Sequence, residues 1–334
     1  MKIIKSIIVY LVFLSAISCT KKELVEEPNS SRFNIYALIK GSQNTKSIIL
    51  NNGFTAGSAI GIQLLREDNS KYSPFVSTNI KYEYTKDDEW VTTDYNFLNT
   101  LKAKVYGYYP YDSKIKGDIP YEFVNINIPK DCRVNDVVDY LFASPLDQEV
   151  LMVNNSSNFA DLIMNHSLSQ ISFIIYKENY TGPGIFTEFS IENNSLKDII
   201  KSDDGNMKMS IMNGSISGGA RSSLKRTNTS PIVLRESSVI SGFPSSDLTI
   251  LKQQVDKYGV STLLAPYNGS IEAEDIQFVF KIDGIDHSVR NTSRFILLAG
   301  KQYIFKVKLT DLGAKILSVS ISDWNSSFED EIFI

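Results

Sequence analysis

Residues 276–282 set Ile276, Phe278, Phe280 and Ile282 at alternate positions, with Gln277 and Lys281 between them, and then enter Asp283-Gly284. Ile285, His287 and Val289 alternate again on the far side of that dipeptide. A repeat of two puts one set of side chains on one face of a strand, and both turn residues tolerate positive φ, so the stretch predicts a β-hairpin over 276–290. The same repeat recurs at Ile80, Tyr82 and Tyr84, at Met207, Met209 and Ile211, at Tyr303, Phe305, Val307 and Leu309, and at Leu317, Val319 and Ile321. A chain patterned this way has to bury sheet faces against one another, which predicts an all-β protein built of antiparallel sandwiches.

Helical spacing is scarce, and only Val137 to Ala143 and Asn158 to Met164 offer two turns each. A polar run at 153–158, Val-Asn-Asn-Ser-Ser-Asn, marks a composition shift and predicts two domains, 33–152 and 153–334. Residues 213–230 are rich in Gly, Ser and Asn and read as a surface loop.

The first residues have a different character. Lys2 and Lys5 precede an uncharged apolar run from Ile7 to Ile17, then small residues, then Cys19. That layout predicts a signal peptide over 1–18. Its apolar part is short of the roughly 20 residues that a spanning helix needs. The position of Cys19 resembles a bacterial lipobox, which implies acylation of that thiol and attachment to the outer membrane. Residues 19–32 are charged and aperiodic and read as a tether. With Cys19 acylated, Cys132 is left alone and cannot close an intramolecular disulfide.

Removal of Lys2 and Lys5 leaves 32 basic against 38 acidic residues, a net charge of −6. A mildly acidic chain lacks the clustered cations that nucleic acid demands. Catalytic groups are few: His166 and His287 are the only histidines, His287 sits in the hairpin register, and no acid/base constellation stands at a useful spacing. The reading is therefore a non-enzymatic protein with no cofactor and no metal. Asp203-Asp204-Gly205-Asn206 lacks the ligand pattern of a calcium loop and reads as a turn. Tyr106, Tyr108, Tyr109 and Tyr111 lie within six residues and offer either a sugar-stacking platform or a strand end with buried rings.

Several segments together resemble the fimbrillin family of Bacteroidetes. They are residues 45–62, 79–84 followed by Trp90, 104–111, 139–144, 165–175, and 297–309 leading to Ile321-Ser322-Asp323-Trp324. The resemblance implies two tandem transthyretin-like β-sandwich domains and a surface lipoprotein, a pilus subunit or pilus-associated adhesin, with other subunits as partners and a host protein or glycan as a further ligand. It also implies assembly by strand exchange, in which proteolysis removes the first strand and a segment of another subunit fills its place. The family often shows Thr-Arg ahead of a Phe-x-x-Gly-Asp turn, whereas this chain has Thr45-Lys46 ahead of Phe54-Thr55-Ala56-Gly57-Ser58. The processing candidates are Arg32, Lys40 and Lys46. A cut at Arg32 leaves the strand over 33–39 in place, while one at Lys40 or Lys46 frees it. Residues 325–334, with Phe328, Ile332 and Phe333 among acids, are either a donor strand or the last edge strand of their own domain.

Overall fold

A computed structural model describes residues 30–40, 53–72, 74–94, 96–116, 119–148, 151–239 and 241–324, together with the backbone of 329–333. The described chain is β throughout except for one 3-10 turn and one α-helix.

The first sheet gathers β1 (Asn34–Ile39), β2 (Ala59–Leu65), β3 (Ile80–Tyr84), β4 (Trp90–Val91), β5 (Ala103–Tyr109), β6 (Leu141–Ala143) and β7 (Phe159–His166) in the order β1-β7-β6-β5-β2-β3-β4. The two-residue strand Met152–Val153 adds to β5. Alternation along β1 turns Phe33, Ile35, Ala37 and Ile39 into a core shared with Ile60, Ile62, Leu64, Tyr82 and Leu162. The expected boundary at 153 falls inside the stretch that feeds this sheet, because β7 is the strand on which β1 lies.

Beyond β7 the chain enters β8 (Ser169–Lys177), β9 (Ile185–Asn193), β10 (Leu224–Val233), β11 (Val260–Leu264), β12 (Ile276–Ile282), β13 (Ile285–Arg290), β14 (Lys301–Thr310), β15 (Gly313–Asp323) and β16 (Glu329–Phe333). β8, β14, β15 and β16 form one sheet in that order, with β11 also on β8. β13, β12, β9 and β10 form another. The two sheets bury their faces against each other through an aromatic knot in which Phe173, Phe278 and Phe305 lie 4.8–5.6 Å apart between ring centres. The predicted hairpin is β12–β13, with Asp283 and Gly284 at φ 53° and 76°.

Most pairs are antiparallel, but β1 with β7 and β8 with β14 run parallel. The short strand Asp131–Arg133 also joins β10 in parallel, so a segment from the first half of the chain completes a sheet of the second.

Three expectations need correction. Residues 137–143 and 158–164 are not helical: they end in or belong to β6 and β7, where neighbouring strands satisfy the backbone and both faces of β6 are buried. The helix present is α1 (Leu248–Tyr258), capped by Asp247, whose side chain accepts from the Ile250 amide. Its Leu248, Leu251 and Val255 pack on Ile174, Tyr176 and Ile304, covering the outer face of β8 and β14. Residues 213–230 are not a surface loop throughout, since they run into β10, where Leu224 and Arg226 are fully buried. Arg226 donates to the Thr262 hydroxyl and to the carbonyls of Pro129, Lys130 and Lys225, which moors the crossing segment.

Candidate functional site

β1 is an edge strand that enters the sheet through a ladder on one side only. Its six residues pair in parallel with Phe159 to Met164. An exposed edge of free carbonyls would recruit other strands, and here side chains take two of them. Tyr82 donates its hydroxyl hydrogen to the Phe33 carbonyl at 2.8 Å, Asn96 donates to the same oxygen at 3.3 Å, and the Trp90 indole donates to the Ala37 carbonyl at 3.2 Å. The Phe33 amide donates to the Asn96 carbonyl. Burial pushes the Tyr82 phenol well above its ordinary value, so it stays a donor at any physiological pH.

Beneath β1, Phe33, Ile35, Ala37 and Ile39 are at most 7 % exposed. Burying one Phe and two Ile contributes about 5–9 kcal/mol. Trp90 approaches Ala37 closely enough to bond its carbonyl, and its ring is held by Phe54 at 4.8 Å and Tyr84 at 5.1 Å.

Among the processing candidates, Arg32 lies in a short strand paired with Phe97–Leu98. Its guanidinium donates to the Thr92 carbonyl, and its own carbonyl accepts from Asn34 and Asn158. A protease needs an extended, released backbone, and this one is tied down. Lys40 is exposed at the end of β1, its amide still donating to Met164. Lys46 and Cys19 lie outside the described residues. Lys40 also borders a cleft of about 930 Å³ whose lining includes Asp323 and Trp324 at the end of β15. The end of β1 and the end of β15 therefore open on the same cleft.

The tyrosines do not form a platform. Tyr106 and Tyr108 are 3 % and 1 % exposed. The Tyr108 ring lies across Gly61, where an added Cβ would come within 2.1 Å of it, and its hydroxyl bonds Asn79. Tyr121 covers it edge-on, and Tyr109 packs on Phe54. Rings buried on both sides offer no face to a sugar. Tyr109 and Tyr111 keep partial exposure, Tyr111 beneath the Lys81 ammonium.

His166 and His287 stand in different sheets. His166 bonds Asp139 at 2.8 Å and stacks on Trp324 at 3.9 Å, a structural role. The 203–206 stretch is a turn in which Asp203 and Asp204 accept from the backbone amides of Gly205 and Asn206. Among the described residues no three His, Cys, Asp or Glu side chains are grouped to hold a metal ion. Sequence reasoning missed Tyr82, Asn96 and Trp90 as residues of the site. Tyr82 and Trp90 were visible only as strand residues.

The sequence matches the model of the fimbrillin-like family over residues 45–324. The chain belongs to the fimbrillin-like family. Its fold is shared with solved structures from Bacteroides. A fimbrial protein from Bacteroides vulgatus superposes with a TM-score of 0.55 at 12% identity, over 87% of this chain and 99% of that one. Two proteins assigned by supposition to cell adhesion superpose as well. The one from Bacteroides ovatus gives a TM-score of 0.60 at 12% identity, over 88% and 98% of the two chains. The one from Bacteroides uniformis gives 0.58 at 13% identity, over 89% and 100%. No curated protein matches the sequence significantly. At these identities the neighbours speak for the fold of this fimbrillin-like chain, not for its ligand.

Proposed function

We propose that the protein is a non-catalytic subunit of a surface fimbria, exported to the outer membrane as a lipoprotein acylated on Cys19 and, once a cut removes the segment that carries Cys19 and β1, joined to other subunits by replacement of β1. Family membership supports the fimbrial role. The exchange reading is carried by one observation: β1 has a backbone ladder along one edge only, and side-chain donors take the Phe33 and Ala37 carbonyls on the other. Such a strand is held well while covalently attached and leaves a preformed, hydrogen-bonding groove once cut free.

Lys40 or Lys46 is the site of the releasing cut. Limited digestion of the mature chain with a lysine-specific protease, followed by size-exclusion chromatography, tests this: the intact chain elutes as a monomer and the cut chain as higher oligomers. A cut chain that loses 33–40 and stays monomeric overturns the reading. Mass spectrometry of the membrane-extracted protein tests the anchor, which requires a diacylglycerol adduct on Cys19.

A further inference from the structure

The groove beneath β1 has a side-chain specification, and the chain's own segment after Trp324 does not meet it. Resting on the strand-exchange reading, we propose that the strand received in place of β1 comes from a different kind of subunit rather than from a second copy of this chain. That strand carries large apolar, large apolar, small and large apolar residues at alternate positions.

The specification is read from the strand now in place. Phe33, Ile35, Ala37 and Ile39 fill four successive inward positions. The first is framed by Tyr82, whose ring meets Phe33 edge-on at 6.3 Å. The third holds the small Ala37, 4 % exposed, and the Trp90 indole supplies the donor for the backbone there. Because the donors of the far edge take carbonyls, they hold any strand whatever its side chains. Selection is left to the four apolar positions.

Residues 328–334 read Phe-Glu-Asp-Glu-Ile-Phe-Ile. Laid in the direction of β1 with Phe328 in the first position, they put Asp330 where Ile35 sits and Ile332 where Ala37 sits. Run the other way, with Ile334 first, they put Asp330 at the Ala37 position. A shift by one residue turns Glu329 and Glu331 inward. Every alternating register through the three consecutive acids therefore buries a carboxylate. No buried cation stands ready to meet it: Arg226 and Lys306, the buried Arg and Lys side chains among the described residues, belong to the other two sheets, and the buried His166 is already bonded to Asp139. An unpaired carboxylate in an apolar site is strongly disfavoured. Residues 20–29 offer only Leu24 and Val25 and cannot fill four positions.

The test uses the full mature chain with one engineered protease site placed between Lys40 and Gly53. After cutting, three synthetic peptides are offered in excess and incorporation is followed by native mass spectrometry. They are isotope-labelled residues 30–40, native residues 324–334, and residues 324–334 carrying Asp330→Ile and Ile332→Ala. The labelled peptide and the doubly substituted peptide enter the groove, and the native 324–334 peptide binds about 100-fold more weakly. Single substitutions separate charge from size, with Asp330→Ile recovering most of the loss. Native 324–334 binding within threefold of the substituted peptide overturns the proposal. Failure of labelled 30–40 itself to enter shows that β1 does not exchange, which removes the strand-exchange reading and this proposal with it.

Discussion

The Phe33 carbonyl accepts from two side chains, and those two also bond each other, Asn96 donating to the Tyr82 oxygen at 2.5 Å. Tyr82→Phe removes one donor and strands another in a buried site, so it costs about 1–3 kcal/mol, read as a lower urea midpoint at unchanged slope. Asp283 makes a second residue-scale prediction. Burial would raise its carboxyl, but the amides of Ile185 and Gly184 and the Tyr180 hydroxyl outweigh that and hold it below its ordinary 3.8. A depressed carboxylate contributes stability that is full above the ordinary value and is lost as pH falls through the lowered one. Asp283→Asn keeps the positive φ accessible, so it destabilises at pH 7 while the difference from wild type shrinks below about pH 4. Denaturation midpoints measured at both pH values check this.

At the scale of elements, β2 and β5 meet at a glycine. Gly61 stands opposite Tyr108, and the buried ring occupies the space of the missing side chain. Gly61→Val therefore forces out a ring fixed by Asn79 and Tyr121 and destabilises by about 2 kcal/mol or more, seen as a loss of thermal midpoint. Hairpin β12–β13 was legible in the sequence because Asp283-Gly284 names its own turn type. Helix α1 left a weaker trace. Leu248, Leu251 and Val255 do follow helical spacing behind the Asp247 cap, but the β-branched Thr249, Ile250 and Val255 read equally well as strand. β6 and β7 show the opposite error: β6, buried on both faces, lacks the alternation that identifies a strand, and β7 alternates in burial but sets apolar Phe159 and Ile163 on its exposed face. β10 was mistaken for loop because one of its core residues is Arg226, a charge that only tertiary carbonyls make tolerable. The apolar half of the candidate site, Phe33 to Ile39, could be read from alternation. Its polar half could not, because Tyr82, Trp90 and Asn96 reach β1 across 49 to 63 residues of chain.

For the whole molecule, the parallel docking of β1 on β7 matters because no hairpin joins them. The 19 residues between β1 and β2, Lys40 to Ser58, connect β1 to a strand that is not its neighbour in the sheet, so severing that stretch does not unravel a neighbouring pair. Arg226→Met is expected to do what that cut does not. By leaving the carbonyls of Pro129, Lys130 and Lys225 without their donor, it loosens the segment that stitches the first half of the chain to the β10 sheet. The cost is about 3 kcal/mol or more, with hydrogen exchange rising around residues 129–133 while β1 stays protected.

The six-residue register between β1 and β7 has a mechanical meaning. A strand lying alongside its partner and pulled along its own length is loaded in shear, with all of its bonds strained together, whereas a strand pulled sideways opens one bond at a time. Under the strand-exchange reading, a chain received in that place and pulled along its length is gripped in the stronger of the two modes.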